Sequence, residues 1–134
     1  MENNLPLPNQ DEDWRARLGD KAFYVMRQGG TEAPFTGVYD KHFERGDYHC
    51  KACDSLLFTD THKFNSGCGW PAFDQSVPGA ISYLRDTSFG MIRIETRCAH
   101  CDSHLGHVFD DGPKQTTGKR YCINSICLVF KPRA

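Results

Sequence analysis

Seven cysteines in 134 residues fall into two CxxC pairs, Cys50/Cys53 and Cys98/Cys101, and three single thiols, Cys68, Cys122 and Cys127. A CxxC spans a tight turn whose two sulfurs can converge on one ion. Two such turns complete a closed thiolate tetrahedron with zinc to sulfur distances of about 2.3 Å, and a closed site is structural because it leaves no position for a substrate. Cys50, Cys53, Cys98 and Cys101 are therefore expected to hold one structural zinc ion per chain, although a thiolate tetrahedron also accommodates iron. The stretch between Cys53 and Cys98 is much longer than the roughly 15–20 residues of a compact zinc ribbon, so a sheet must be inserted between the knuckles. A thioredoxin-like redox role for either pair needs the strand-to-helix junction of a βαβ unit, and neither pair sits at one. Any chemistry falls to the remaining thiols.

The rest of the composition narrows the function. The length suits one domain that a metal staple would help to stabilise. A formal net charge of −1 lacks the basic footprint of a nucleic-acid or anionic-membrane binder. No apolar run reaches membrane-spanning length, and Met1-Glu2-Asn3-Asn4 has neither the basic start nor the apolar stretch of a signal peptide. The expectation is a cytoplasmic, monomeric protein with no nucleic-acid or membrane partner, in a compartment where cysteines stay reduced and paired cysteines read as metal or catalytic sites.

Residues 1–13 are polar and include Pro6, Pro8 and Asp11-Glu12-Asp13, the composition of a flexible arm, leaving residues 14–134 as the single domain. Asp13 is a candidate N-cap, with Trp14 and Leu18 four residues apart on one helical face, and Ala22 to Arg27 is a possible extension. After Gly29-Gly30, turn residues recur at short intervals between β-type runs such as Ile81–Leu84, Met91–Thr96 and Tyr121–Asn124. The pattern is mainly β and antiparallel, with one or two helices at the N-terminal end.

Three segments carry chemistry. In Lys119-Arg120-Tyr121-Cys122-Ile123-Asn124-Ser125, strand alternation would place Arg120, Cys122 and Asn124 on one face. A guanidinium beside a thiol favours the thiolate, and an amide can contact a polar substrate group. A buried core cysteine on an edge strand fits this segment equally well. The loop Gly67-Cys68-Gly69-Trp70-Pro71 puts a thiol between glycines that allow it to move, beside a tryptophan that either packs in the core or offers its face to a ligand. His104 and His107 add imidazoles suited to proton transfer near neutral pH. Three residues apart, the two would face opposite sides of a regular strand. Cys127, at an odd offset from Cys122, is expected to be a buried bystander, the alternative being a further reactive thiol.

Together with Arg27-Gln28-Gly29-Gly30-Thr31-Glu32-Ala33-Pro34-Phe35 and His104-Leu105-Gly106-His107-Val108-Phe109, these motifs resemble the B-type methionine sulfoxide reductases, which act on methionine-R-sulfoxide. The match runs over nearly everything after the N-terminal arm. The resemblance implies two antiparallel sheets in a tent-like fold with the zinc remote from the active site. It further implies that Cys122 attacks the sulfoxide sulfur of methionine-R-sulfoxide, free or in peptides and oxidised proteins, and becomes a sulfenic acid. Cys68 would resolve that acid as a disulfide, and thioredoxin would reduce the disulfide. By the same resemblance Trp70 holds the substrate methyl group, His107 acts on the sulfoxide oxygen, and Arg120 and Asn124 organise the site, with His104 nearby. That each such enzyme takes one sulfoxide epimer is a general property of the class. The rival reading is a zinc-stabilised β module that binds a peptide or protein partner without catalysis, since fold alone does not settle function. Two convergent free thiols would discriminate between them.

Overall fold

The computed structural model describes residues 7, 8 and 10–133. Two helices come first, α1 (Asp11–Leu18) and α2 (Asp20–Gln28), separated by Gly19 at φ 84°. Gln10, not Asp13, occupies the N-cap of α1 and makes no side-chain capping bond. Asp11, Glu12 and Asp13 instead fill the first turn, where carboxylates offset the positive end of the helix dipole. The expected arm thus gives up residues 11–13 to α1, and its residues 1–6 and 9 lie outside the described residues. Trp14 and Leu18 are buried from α1, and Ala22, Phe23, Val25 and Met26 from α2.

The remaining chain is mainly β, as expected. β1 (Gly46–Cys50), β2 (Leu56–Thr59) and β9 (Leu128–Pro132) form a sheet in the order β2-β1-β9. The second sheet comprises β3 (Lys63–Phe64), β4 (Ala72–Phe73), β5 (Ile81–Asp86), β6 (Arg93–Cys98), β7 (His104–Phe109) and β8 (Arg120–Ile123). Its order is β3-β4-β8-β7-β6-β5. All pairings are antiparallel. β6 starts at Arg93, two residues later than the apolar run Met91-Ile92 suggested, because Phe89 (φ 56°) and Gly90 (φ 71°) make the hairpin turn and leave Ile92 exposed.

Aromatic rings join the two sheets. Phe58 of β2 stacks on Phe73 of β4 with ring centroids 4.2 Å apart and planes at 15°. Tyr48 of β1 meets Phe73 edge-on at 5.2 Å, and Phe58 meets Tyr121 of β8 at 5.7 Å. Burying rings of this size contributes roughly 1.5–3 kcal/mol each, with somewhat more from their geometry. β8 is consequently a central strand held from below by the core, and Ala72 and His107 flank Cys122 in register on its two neighbours. β7 and β8 approach so closely at Gly106 that an added Cβ would strike the Cys122 carbonyl oxygen.

Candidate active site and metal centre

The two knuckles are the same structure twice. Cys50 and Cys98 end β1 and β6, and in each the residue four positions on, Asp54 or Asp102, donates its N–H back to the cysteine carbonyl at 2.8 Å. Asp54 (φ 69°) and Asp102 (φ 62°) adopt the left-handed conformation that aspartate tolerates. The sequence repeat therefore extends beyond CxxC to CxxC-Asp-Ser, and Ser55 and Ser103 contact Cys53 and Cys101 sulfurs at 3.1 Å. All four sulfurs are buried and lie within 4.8 Å of one another. Cys50 to Cys101 is 3.7 Å and Cys53 to Cys98 is 3.6 Å, close to the edge of about 3.8 Å that follows for a sulfur tetrahedron around an ion with 2.3 Å bonds. The donor set and spacing fit a closed thiolate metal site. Arg17 of α1 donates to the Ala52 carbonyl and Arg27 of α2 to the Cys101 carbonyl, both at 2.8 Å, so each helix grips one knuckle.

A cavity of about 280 Å³ lies on the second sheet, lined by Thr31, Cys68, Trp70, Arg93, Gly106, His107, Phe109, Arg120, Cys122 and Asn124. It has room for one side chain rather than a large cofactor. Alternation along β8 and into Asn124, the extended residue just after it, holds, since Arg120, Cys122 and Asn124 all reach the cavity. Of the seven cysteines only Cys68 and Cys122 are partly exposed, and their sulfurs stand 3.2 Å apart. The Cys68 loop passes through Gly67 (φ 76°) and Gly69 (φ 92°) and enters β4, whose Ala72 pairs with Cys122. Trp70 is not core. It is partly buried and donates its indole N–H to the Glu32 carbonyl at 3.1 Å. Arg120 makes a two-pronged pair with Asp111 at 2.8 and 3.1 Å and lies over the Phe109 ring at 4.4 Å.

The histidines depart from strand alternation. Between Thr96 and Arg97 the β6–β7 register shifts, leaving Leu105 unopposed as a bulge. Such an extra residue rotates the following side chain, and His104 and His107 end on one side with rings 5.7 Å apart. His107 lines the cavity and meets Asp86 through Nε2 at 2.8 Å. His104 is buried behind it and meets Glu95 through Nδ1 at 2.7 Å, with Nε2 buried and unpartnered among the described residues. Burial, acting against the Glu95 carboxylate, holds His104 below the ordinary histidine range. Asp86 is held well below the carboxylate range by Ser88 first and His107 next.

Asn124 has little capacity left for a ligand. Its Oδ1 accepts from the Glu32 N–H at 3.0 Å and its Nδ2 donates to the Leu105 carbonyl at 2.9 Å. Cys127 is buried, as expected, with its thiol donating to the His104 carbonyl at 3.4 Å, and burial pushes that thiol up. The two cavity thiols divide one charge between them. The contact with Cys122 pulls Cys68 down to about 5, with smaller help from Ser66, the Trp70 backbone and Arg120. The same contact, together with burial, pushes Cys122 up, against the pull of Arg120.

Comparison with known proteins completes the assignment. Residues 18–132 match the SelR domain family. The peptide methionine sulfoxide reductase MsrB of Thioalkalivibrio sulfidiphilus (strain HL-EbGR7) is 58% identical over 98% of this chain and 97% of its own. That of Pseudomonas putida (strain W619) is 56% identical over 91% of this chain and 92% of its own. A Caenorhabditis elegans relative named "Probable methionine-R-sulfoxide reductase B" is 49% identical over 96% of this chain and 86% of its own. The chain belongs to the B-type methionine-R-sulfoxide reductases. It is accordingly an oxidoreductase, and the cavity that gathers Cys68, Trp70, His107, Arg120, Cys122 and Asn124 is its candidate active site.

Sequence reasoning alone passed over Thr31, Arg93 and Phe109 in the cavity wall and the carboxylates of Asp86 and Glu95 beneath the histidines. A signal existed for two of these, since Arg93-Ile94-Glu95-Thr96-Arg97 alternates charged with uncharged residues and so marks a charged sheet face. The thiol pair generates a test. In the wild-type protein near pH 6, a limiting amount of iodoacetamide is expected to modify Cys68 before Cys122. In Cys68→Ser, the neighbouring negative charge is lost, Arg120 remains, and the Cys122 pKa falls, so its alkylation rate at that pH rises. Peptide mass mapping that found Cys122 modified first in wild type, or no faster in Cys68→Ser, would contradict this division of charge.

Proposed function

We propose that this protein reduces methionine-R-sulfoxide in peptides and oxidised proteins to methionine, through a Cys122 sulfenic acid and a Cys68–Cys122 disulfide recycled by thioredoxin. The single observation that carries the reading is the 3.2 Å approach of two partly exposed thiols at one cavity. Cys122 sulfur bonds to the sulfoxide sulfur, the sulfur–oxygen bond breaks as that oxygen passes to Cys122 as its sulfenic hydroxyl, and methionine leaves. Cys68 sulfur then displaces that hydroxyl as water, forming the disulfide, and an external dithiol takes the oxidised equivalent away. The proton on the sulfoxide oxygen is supplied from the His107 side, where Asp86 fixes the imidazole at 2.8 Å; a positioned imidazole suits that role near neutral pH. Arg120, anchored by Asp111 and Phe109, favours negative charge on Cys122 once substrate displaces Cys68. Trp70 forms the aromatic wall for the S-methyl group, a contact that soft sulfur chemistry favours.

The rest of the assignment follows the same family. The ion of the four-cysteine site is zinc, one per chain, and structural. Residues 14–134 act as one catalytic domain, monomeric and cytoplasmic. No helix among the described residues is long and apolar enough to cross a membrane. A non-catalytic binding module leaves the convergent thiol pair without a purpose.

With dithiothreitol as reductant, the R epimer of a blocked methionine sulfoxide is expected to be consumed and the S epimer spared, and Cys122→Ser to be inactive. Cys68→Ser should form one methionine per protein but lose thioredoxin-driven turnover by at least about 100-fold. Equal use of both epimers, or thioredoxin turnover surviving in Cys68→Ser, would overturn the proposal. Stripping the metal with a strong chelator should release one zinc per chain and lower the melting temperature by more than about 10 °C, because ligand binding energy at such sites is folding energy. An unchanged melt after complete metal removal would refute a structural role.

A further inference from the structure

We propose that Glu32 is a positioning residue of the active site: its carboxylate anchors the Thr31–Glu32 backbone, which in turn sets the placement of Trp70 and Asn124. The proposal rests on the reading of Trp70 as the wall that holds the substrate methyl group. Four hydrogen bonds meet at this one residue. Its Oε2 accepts from the Ser125 N–H at 2.9 Å and its Oε1 from the Ile126 N–H at 3.0 Å. Its own N–H donates to Asn124 Oδ1 at 3.0 Å, and its carbonyl accepts from the Trp70 indole at 3.1 Å. Three segments far apart in sequence are thus joined: the stretch after α2, the Cys68–Trp70 loop, and the turn that follows β8.

The order of dependence follows from the chemistry. Bonds from backbone N–H to an ionised carboxylate are charge-assisted and stronger than neutral ones, so the two carboxylate bonds are the fixed end of the clasp. The two neutral bonds to Trp70 and Asn124 hang from the backbone so held. The fixed end begins three residues beyond Cys122, and the adjacent Thr31 lines the cavity itself. The turn that closes over the clasp is shaped for it. A Cβ at Gly37 would run into Ser125 and the Glu32 carboxylate, and Tyr39 donates its N–H to Ser125 Oγ at 3.2 Å. Without the carboxylate, the Trp70 indole keeps a partner atom but that atom is no longer held in place.

The test is a double-mutant cycle on KM for the R-sulfoxide with saturating dithiothreitol, using Glu32→Ala, Trp70→Phe and the double variant, each with its melting temperature and metal content recorded. Glu32→Ala is expected to raise KM about tenfold or more alone, but less than about twofold on top of Trp70→Phe, because both changes release the same wall. A merely structural role would give the same factor in both backgrounds, and that result would overturn the proposal. Should Glu32→Ala not fold, Glu32→Gln keeps the reach with one carbonyl oxygen. A raised KM with wild-type melting and metal content would support the proposal, and an unchanged KM would overturn it. If Trp70→Phe has a wild-type KM, the Trp70 reading fails and the proposal with it. If Trp70→Phe raises KM and no Glu32 variant does, the proposal fails alone.

Discussion

The four-thiol cluster is the constraint on which the rest of the molecule depends, because one of its two knuckles closes a strand of each sheet. Cys50 closes β1 of the smaller sheet and Cys98 closes β6 of the larger, so the cluster lies where the two sheets meet. The aromatic stack of Phe58 on Phe73 then sets their spacing. The helices are tied to the same point through Arg17 and Arg27. A chain of this length has a modest core, and a metal ion held by the four thiols at the junction would add stability that packing alone would not provide.

The candidate active site is built on the larger sheet. Its nucleophile candidate stands on the central strand β8, with its neighbours β4 and β7 in fixed register. Of the two thiols, Cys68 is the one carried on a loop. The two thiols thus differ in support, Cys122 on a strand and Cys68 between two glycines of positive φ. The histidines are likewise held from beneath, His107 by Asp86 and His104 by Glu95. Bound carboxylates fix imidazole orientation much as they do around metal ligands.

Much of this was legible in the residues. The division of cysteines by spacing anticipated the cluster of four, and Cys127 is buried as expected, while the residues alone left Cys122 open between a core and a reactive thiol. Strand alternation placed Arg120, Cys122 and Asn124 together, as the cavity has them. Alternation failed at His104 because Leu105 is a bulge, and nothing in a single sequence marks where a register slips. The helix start at Asp11 was missed because acidic residues serve a first turn as readily as an N-cap. Long-range pairings such as Asp86 to His107 and Glu32 to Ser125 depend on which strands are neighbours, and only the fold reveals that.

The central claim is that the seven cysteines divide into four that hold metal, two that react and one that does neither. Differential alkylation after a single turnover tests it most directly. Reduced protein is given one equivalent of the R-sulfoxide without reductant, then free thiols, bound zinc and disulfide-linked peptides are measured on the same sample. The account predicts one methionine formed, two thiols lost as a single Cys68–Cys122 link, zinc retained, and Cys127 still a free thiol. A disulfide involving Cys127 or any knuckle cysteine, or zinc released in step with methionine, would contradict it.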